Sequence, residues 1–259
     1  MRRLALYAVA IVLVGAAAPR VPWFTPSQAL SALVRDDQSV AGCMQQDAKN
    51  LRAGITVSAI ASNPKLALVQ VMASCVCGAQ NCPFWVYRVD GGSAKRLVDG
   101  FVIDVSMVPR SSGPPDIVAV AHDSALVTDG TRYAYRNGTY VAVDSWRSRG
   151  DTGARKPMSV AIKFVPGTSS THLAGAVSVG WGDVYTFAAS AGQRLTTSSL
   201  HPASDIDVEL FPENRLPVHV LLNGKGIFLP ATGTYQLTVD PATAGYADSV
   251  HYRFTLEIQ

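Results

Sequence analysis

The chain has little charge, and it lacks the residue spacings that mark common catalytic centres. Only 16% of its 259 residues are charged, and no basic run with interleaved aromatics is present, so we do not expect a nucleic-acid partner. The motifs G-x-S-x-G and H-E-x-x-H are also missing. The five histidines lie far apart in the sequence, at His122, His172, His201, His219 and His251. We therefore predict a protein that is not an enzyme and has no metal or other cofactor.

Glutamate is missing from the first 157 residues, where 17 Lys and Arg stand against 11 Asp. Residues 158–259 reverse the balance, with 5 Lys and Arg against 8 Asp and Glu. So small an asymmetry is typical of ordinary solvated surface. The hydrophobic content of 48% is that of a globular chain.

Residues 1–23 have the pattern of a secretory signal peptide. Arg2 and Arg3 form a positive start, residues 4–14 are apolar, and residues 15–18 are small. The apolar run ends near fifteen residues, short of the ~20 that a membrane span needs. We predict a periplasmic or secreted protein with no membrane span after cleavage, and an uncleaved N-terminal anchor stays open as the alternative.

Four cysteines in an exported chain indicate two disulfides. Residues 78–81 form a natural turn, which favours a Cys77–Cys82 bridge, and Cys43–Cys75 is then the second. Three connectivities are compatible with the sequence. A zinc site formed by the same four cysteines stays open as an alternative.

Residues 24–147 are predicted to form a disulfide-containing α+β domain of short helices and an antiparallel sheet. Thr25 and Gln28 form a capping box at the start of a helix that ends near Asp36, and Cys43–Ala53 is a candidate second helix. From Ile55 the hydrophobic period changes to two. The predicted strands are Ile55–Ile60, Leu66–Met72, Phe84–Val89, Phe101–Val108, Asp116–Ala121, Arg132–Arg136 and Tyr140–Val143.

Residues 148–157 are polar and contain glycine, which predicts an inter-domain linker. After it, residues 158–259 hold eight or nine short strands with one apolar face each. The clearest alternation is in Asp205–Leu210, Thr234–Val239 and His251–Ile258. Strands of this kind predict an all-β sandwich or jelly roll. Asp205, Asp207 and Glu209 would form an acidic row on one face of their strand.

The second domain resembles a known family through several short stretches in matching order and spacing. They are Val160–Phe164, Gly167–Ser170, Gly175–Val177, Tyr185–Ala189 with Ala191–Gln193, Leu229–Tyr235 and the terminal strand Tyr252–Ile258. The family is the pre-peptidase C-terminal-like β-sandwich, and within it the periplasmic inhibitors of g-type lysozyme. Cys77–Val86 in the first domain resembles a domain of uncharacterised exported bacterial proteins.

The resemblance implies an exported envelope binding protein that inhibits a g-type lysozyme through loops at one end of the sandwich. The loop of residues 241–249 would then supply Tyr246 and Asp248, and a second loop would supply His201 and Ser204. The first of these loops has no Lys or Arg, whereas the matching loop of the inhibitors is rich in basic side chains. The alternative is a non-inhibitory structural module of the envelope that binds polysaccharide or protein.

Overall fold

The computed structural model describes residues 21–164, 168–212, 218–219, 226–242 and 249–259. They form a β-rich fold, mostly antiparallel, with three short helices: α1 Pro26–Asp36, α2 Gln38–Gln46 and α3 Ala48–Gly54. The strands are β1 Ile55–Ser62, β2 Lys65–Val71, β3 Cys82–Asp90, β4 Ser93–Val102, β5 Asp104–Val108, β6 Asp116–His122, β7 Val127–Arg136, β8 Thr139–Arg149, β9 Arg155–Pro157, β10 Val160–Ala161, β11 Ser170–Val177, β12 Asp183–Ala189, β13 Arg194–His201, β14 Ile206–Pro212, β15 Val218–His219, β16 Ile227–Phe228, β17 Gly233–Pro241 and β18 Val250–Ile258.

The chain divides into two compact units. Of the described residues, one unit comprises 21–78 together with Cys82–Gly100, and the other comprises Ala79–Asn81 together with those from Phe101 to Gln259. In the described part of the chain, no helix is long and apolar enough to cross a membrane.

Aspartate and threonine side chains determine where the helices of the first unit begin. The capping box predicted at α1 is present, with the Thr25 side chain accepting from the Gln28 amide and Gln28 bonding back to the Thr25 amide. Asp37 caps α2, and Asp47 caps α3 by accepting from the Asn50 amide at 3.2 Å. The prediction of one helix over residues 43–53 is therefore wrong, because Asp47 ends one helix and starts the next.

The first unit packs its helices on the sheet β1-β2-β3-β4. Leu33 and Leu51 from the helices and Tyr87 from β3 are completely buried in this core. Cys43 bonds to Cys75 and Cys77 bonds to Cys82, the pairing that the sequence predicts, with Cα separations of 5.5 and 4.2 Å.

The second unit begins with the five-stranded sheet β5-β6-β7-β8-β9. A turn at Asn137 and Gly138 joins β7 to β8, and both residues have positive φ, as this kind of hairpin turn requires. The single strand predicted over Phe101–Val108 is wrong. It is split at Ile103, where β4 ends in one sheet and β5 starts another.

Residues 148–157, predicted as a linker, are part of this sheet. Trp146, Arg147 and Ser148 of β8 pair with the three residues of β9, and the Arg149 guanidinium holds Asp151 at 2.8 Å across the turn. A polar, glycine-containing segment is as suited to a hairpin turn as to a linker, and the sequence pattern does not separate the two.

The rest of the second unit is two sheets that share one apolar core. Their strand orders are β10-β12-β17-β14-β15 and β11-β18-β13-β16. Inward side chains from both sheets, among them Phe187, Leu210, Leu237 and Leu256, form a single cluster. The predicted alternation is confirmed along β18, where every second residue from Tyr252 is buried. The jelly-roll connectivity stays a prediction.

Candidate functional site

Two of the four predicted contact residues can be placed. Tyr246 and Asp248 lie outside the described residues. His201 is the last residue of β13, and its side chain is exposed. Ser204 follows shortly after and donates a hydrogen bond to the Asp205 carboxylate at 2.7 Å. The structure therefore places His201 on the sheet itself, and Ser204 in the connection to β14.

The register of β18 brings two more polar side chains, Arg253 and His251, beside His201. His201 pairs directly with Arg253, and His251 lies two residues before Arg253 on the same face of β18. The three side chains line a shallow depression of about 640 Å³ on the outer face of the sandwich. We call this group the His–Arg cluster: His201, His251 and Arg253.

Small side chains on the neighbouring strand leave this cluster open to solvent. Ala174 pairs with Arg253 and Ala176 pairs with His251 across β11 and β18. Directly paired residues point to the same side of a sheet, so the long side chains of β18 stand beside a row of methyl groups. A partner surface can therefore approach the cluster from the β11 side.

A third histidine lies on the same face. His172 pairs with Thr255, and its Nδ1 atom lies 2.9 Å from the Thr255 hydroxyl. Three of the five histidines are thus on one sheet, although the sequence shows them 29 and 50 residues apart. Sequence reasoning missed this, because it needs the pairing register. Alternation along β18 does indicate from the sequence that His251 and Arg253 point outward.

The sheet below the cluster is fixed by a buried polar network. Tyr252, between His251 and Arg253, points inward and donates to Asp183 at 2.7 Å, while its hydroxyl lies 2.7 Å from that of Tyr185. Lys156 of β9 donates to the same carboxylate at 2.6 Å. Burial raises the pKa of Tyr252 far above its ordinary value, and the two hydrogen bonds act in the same direction.

Gly175 is part of the same arrangement. A Cβ atom there would overlap the Asp183 carboxylate and lie 2.7 Å from the Tyr252 hydroxyl. The position opposite Tyr252 therefore has to be glycine for the Tyr252–Asp183 hydrogen bond to form.

The outer face of the other sheet carries several carboxylates. Asp207 pairs directly with Asp240 across β14 and β17, and Glu209 points to the same side two residues on. Asp207 and Glu209 of the predicted acidic row therefore share a face. Asp205 precedes β14 and accepts the hydrogen bond from Ser204. One outer face of the sandwich thus carries the His–Arg cluster, and the other carries the acidic row.

Two tryptophans have structural roles. Trp85 is 2% exposed in the core of the first unit. Trp181 is half-buried, with the Lys156 ammonium 4.6 Å from the centre of its ring. Among the described residues, no three His, Cys, Asp or Glu side chains group in a way that could hold a metal ion.

Comparison with known proteins gives likenesses to solved structures alone. No family model matches the chain, and no curated protein matches it. A mutant of PliG from Escherichia coli, described as a periplasmic lysozyme inhibitor of g-type lysozyme, is 25% identical with a TM-score of 0.36, over 39% of this chain and 97% of its own. PliG from Salmonella Typhimurium is 24% identical with a TM-score of 0.36, over 40% of this chain and all of its own. PliG from Aeromonas hydrophila is 24% identical with a TM-score of 0.35, over 39% and 96%.

Proposed function

We propose that this chain is an extracytoplasmic binding protein that inhibits a g-type lysozyme through the β-sandwich, and that it performs no catalysis of its own. The observation that carries the proposal is the open His–Arg cluster, which includes the one predicted contact residue that lies on the described sheet. His201, His251 and Arg253 converge on a single depression there. Tyr246 and Asp248, which precede β18 in the sequence, are proposed to contribute to the same contact.

The disulfides support a location outside the cytoplasm. Bridges persist in oxidising compartments and are rare where thiols are kept reduced. All four cysteines of the chain are bridged. A periplasmic or secreted protein with this chemistry would meet lysozymes that enter the envelope from outside.

The partner class comes from the sequence resemblance of residues 158–259, and the charge of the cluster agrees with it. Glycosidases of the lysozyme type act with carboxyl groups in their substrate cleft. A cluster of His201, His251 and Arg253 is complementary to such a cleft, whereas the row of Asp207 and Asp240 on the other face is not.

An inhibition assay tests the proposal directly. The chain is produced by export with both disulfides formed and is titrated against a g-type lysozyme acting on a suspension of cell walls. We expect lytic activity to fall at micromolar excess. Replacement of the cluster in a His201→Ala, Arg253→Ala double variant should weaken inhibition at least tenfold, because truncation of charged groups at an interface commonly costs this much affinity.

Asp207→Ala is the matched control, because it is an exposed substitution on the opposite face. It should inhibit like the unchanged chain. Full lytic activity at micromolar excess would rule out inhibition, and sedimentation with insoluble peptidoglycan would then test the alternative of a non-inhibitory envelope module. If the Asp207 variant lost inhibition while the double variant kept it, the contact would lie on the face of β14 and β17, and the proposed site would be rejected.

A further inference from the structure

Helix α1 carries more apolar surface than its contact with the core uses. Ala29, Ala32 and Leu33 form the buried stripe that packs in the core of the first unit. Leu30 and Val34 lie one turn apart on a neighbouring stripe, and Val34 is 37% exposed. A helix that covers a core needs a single apolar stripe about 100° wide. The second stripe of α1 is therefore available for another contact.

The second stripe lines a groove of about 630 Å³ in the first unit. Met44 of α2 and Ile55 at the start of β1 line the same groove. Leu30 and Met44 also pack against the buried core, so the floor of the groove continues the apolar interior. Sites for small molecules are concave, mainly apolar and roughly 300–1,000 Å³ in volume. The groove has the size and the lining of such a site.

One positive charge lies at this apolar groove. The exposed side chain of Arg52, from α3, is part of the lining. Arg35 of the same unit holds the Asp36 carboxylate at 2.7 Å. Within the described part of the chain, by contrast, the Arg52 guanidinium forms no ion pair with an acidic side chain. It can therefore accept a negative charge that a ligand supplies.

We propose that this groove binds a fatty acid, with the alkyl chain along the apolar stripe and the carboxylate on Arg52. A planar guanidinium matches a carboxylate through two parallel hydrogen bonds. The alkyl chain would cover Leu30, Val34 and Met44, and the flexible thioether of Met44 adapts to ligands of irregular shape. The inference is independent of the proposed function, because none of these residues belongs to the His–Arg cluster.

The size of the groove favours a small amphipathic ligand over a protein segment. Eight residues line it, whereas a stable protein interface uses about 20–30 residues a side. Charge complementarity then selects the head group. The lining that the structure describes includes Arg52 and no acidic side chain, so an anionic head group is attracted and a cationic one is repelled.

Isothermal titration with dodecanoate tests the inference on the exported chain with both disulfides formed. The titration is carried out at pH 8, where the carboxylate is charged, and below the concentration at which dodecanoate forms micelles. We expect saturable binding of one dodecanoate per chain. Decanoate should bind about tenfold more weakly, because each buried methylene strengthens binding about threefold to fourfold. Absence of saturable binding would overturn the inference.

Ligands with the same alkyl chain and a different head group test the role of Arg52. Neutral dodecyl maltoside should bind about fivefold more weakly than dodecanoate, since an exposed ion pair contributes up to about this factor. Cationic dodecyltrimethylammonium should bind more weakly still. An Arg52→Gln chain should bind dodecanoate as weakly as the unchanged chain binds dodecyl maltoside. Equal affinity of the unchanged chain and the Arg52→Gln chain for dodecanoate would overturn the inference.

Val34→Gln tests the apolar stripe without touching the charge. It should weaken binding of dodecanoate and of dodecyl maltoside alike, by about fivefold, because part of the alkyl chain would then lie on a polar group. Val141→Gln is the matched control, since Val141 of β8 is 36% exposed and does not line the groove. It should bind both ligands like the unchanged chain. Equal losses in the two variants would mean that dodecanoate binds exposed apolar surface in general, and they would reject the groove as the site.

Discussion

Gly130 shows how one residue without a side chain allows an aromatic ring to lie on a sheet. It pairs with Trp146 across β7 and β8, and a Cβ atom at this position would overlap the indole. On the other side of the ring the Arg155 guanidinium lies 3.8 Å from its centre. The indole therefore lies between the Gly130 backbone and the Arg155 guanidinium, and an added methyl group at Gly130 would force it to shift.

We expect Gly130→Ala to lower the free energy of unfolding by about 1–3 kcal/mol, the usual cost of an added group in a packed site. Urea unfolding monitored by tryptophan fluorescence measures it. Gly150→Ala is the control, since its Cβ would lie 3.7 Å from the Leu126 carbonyl oxygen, an ordinary contact. It should change stability by less than about 0.5 kcal/mol. Equal stability of both variants would contradict the tight packing of Trp146.

Asp47 is a second single residue that stabilises a local structure, the start of α3. Its side chain accepts from the Asn50 amide at the start of α3, and the Asn50 side-chain amide donates to it at 2.6 Å. We expect Asp47→Ala to reduce stability by about 1 kcal/mol, whereas Asp47→Asn keeps an equivalent cap and stays within a few tenths. Chemical denaturation of the three chains tests this. Similar losses in both variants would show that the negative charge matters more than capping.

At the scale of elements, the network around Asp183 joins three strands through side chains. The Asp183 carboxylate of β12 accepts hydrogen bonds from Lys156 of β9 and from Tyr252 of β18. The Tyr185 hydroxyl adds a fourth polar group beside that of Tyr252. Burial raises the pKa of Tyr185 as well as that of Tyr252. The network therefore holds the hydroxyls in their neutral form, which has consequences at alkaline pH.

The sign of that pH dependence follows from the direction of the shifts. Both tyrosines have a raised pKa in the folded chain, so their contribution to stability is complete below the unfolded value of about 10 and is lost as pH rises above it. We expect the urea midpoint to fall between pH 8 and pH 11. Tyr252→Phe should be about 1–3 kcal/mol less stable at pH 8, because Asp183 loses a buried donor.

The same variant should show a smaller fall between pH 8 and pH 11 than the unchanged chain, since one raised group has been removed. The alkaline fall of the Tyr252→Phe variant is compared with that of Tyr133→Phe, which changes a half-buried tyrosine of β7. An identical alkaline fall in the Tyr252 variant would mean that other tyrosines, such as the completely buried Tyr87, dominate the response.

The elements also show which parts of the structure can be predicted from the sequence. Alternation along β18 identifies its buried face, and the capping box at Thr25 identifies the start of α1, because both patterns depend on neighbouring residues alone. The pairing of His201 with Arg253 was not predictable, since the register between distant strands depends on how both sheets close over the core. The hairpin of residues 148–157 was not predictable for a different reason, because a polar segment with glycine suits a turn and a linker equally.

For the whole molecule, two features act over more than one element: the charged side chains on the outer faces of the sandwich and the pair of disulfides. Arg253 lies beside His201 on one face, and Asp207 lies beside Asp240 on the other. Under the proposed function, a carboxylate-bearing partner would be attracted by Arg253 and repelled by Asp207 and Asp240.

The disulfides should contribute unequally to stability, because they close loops of very different length. Cys43 and Cys75 are 32 residues apart, whereas Cys77 and Cys82 are 5 apart. The loss of chain entropy in the unfolded state then predicts a contribution of about 4 kcal/mol for the long loop and about 2 kcal/mol for the short one. Cys43→Ala, Cys75→Ala should therefore be the less stable double variant.

Hydrogen exchange resolved by peptide adds the location of the effect. Cys43 is buried beside Val40 and Leu51 in the core of the first unit, so peptides from residues 21–100 should exchange faster in the Cys43→Ala, Cys75→Ala chain. Peptides from β11 and β18 should keep the rate of the unchanged chain, because their core is a separate cluster. Faster exchange in those peptides would mean that the two units unfold together. Larger destabilisation by Cys77→Ala, Cys82→Ala would show that contacts made by the short loop outweigh its small entropic effect.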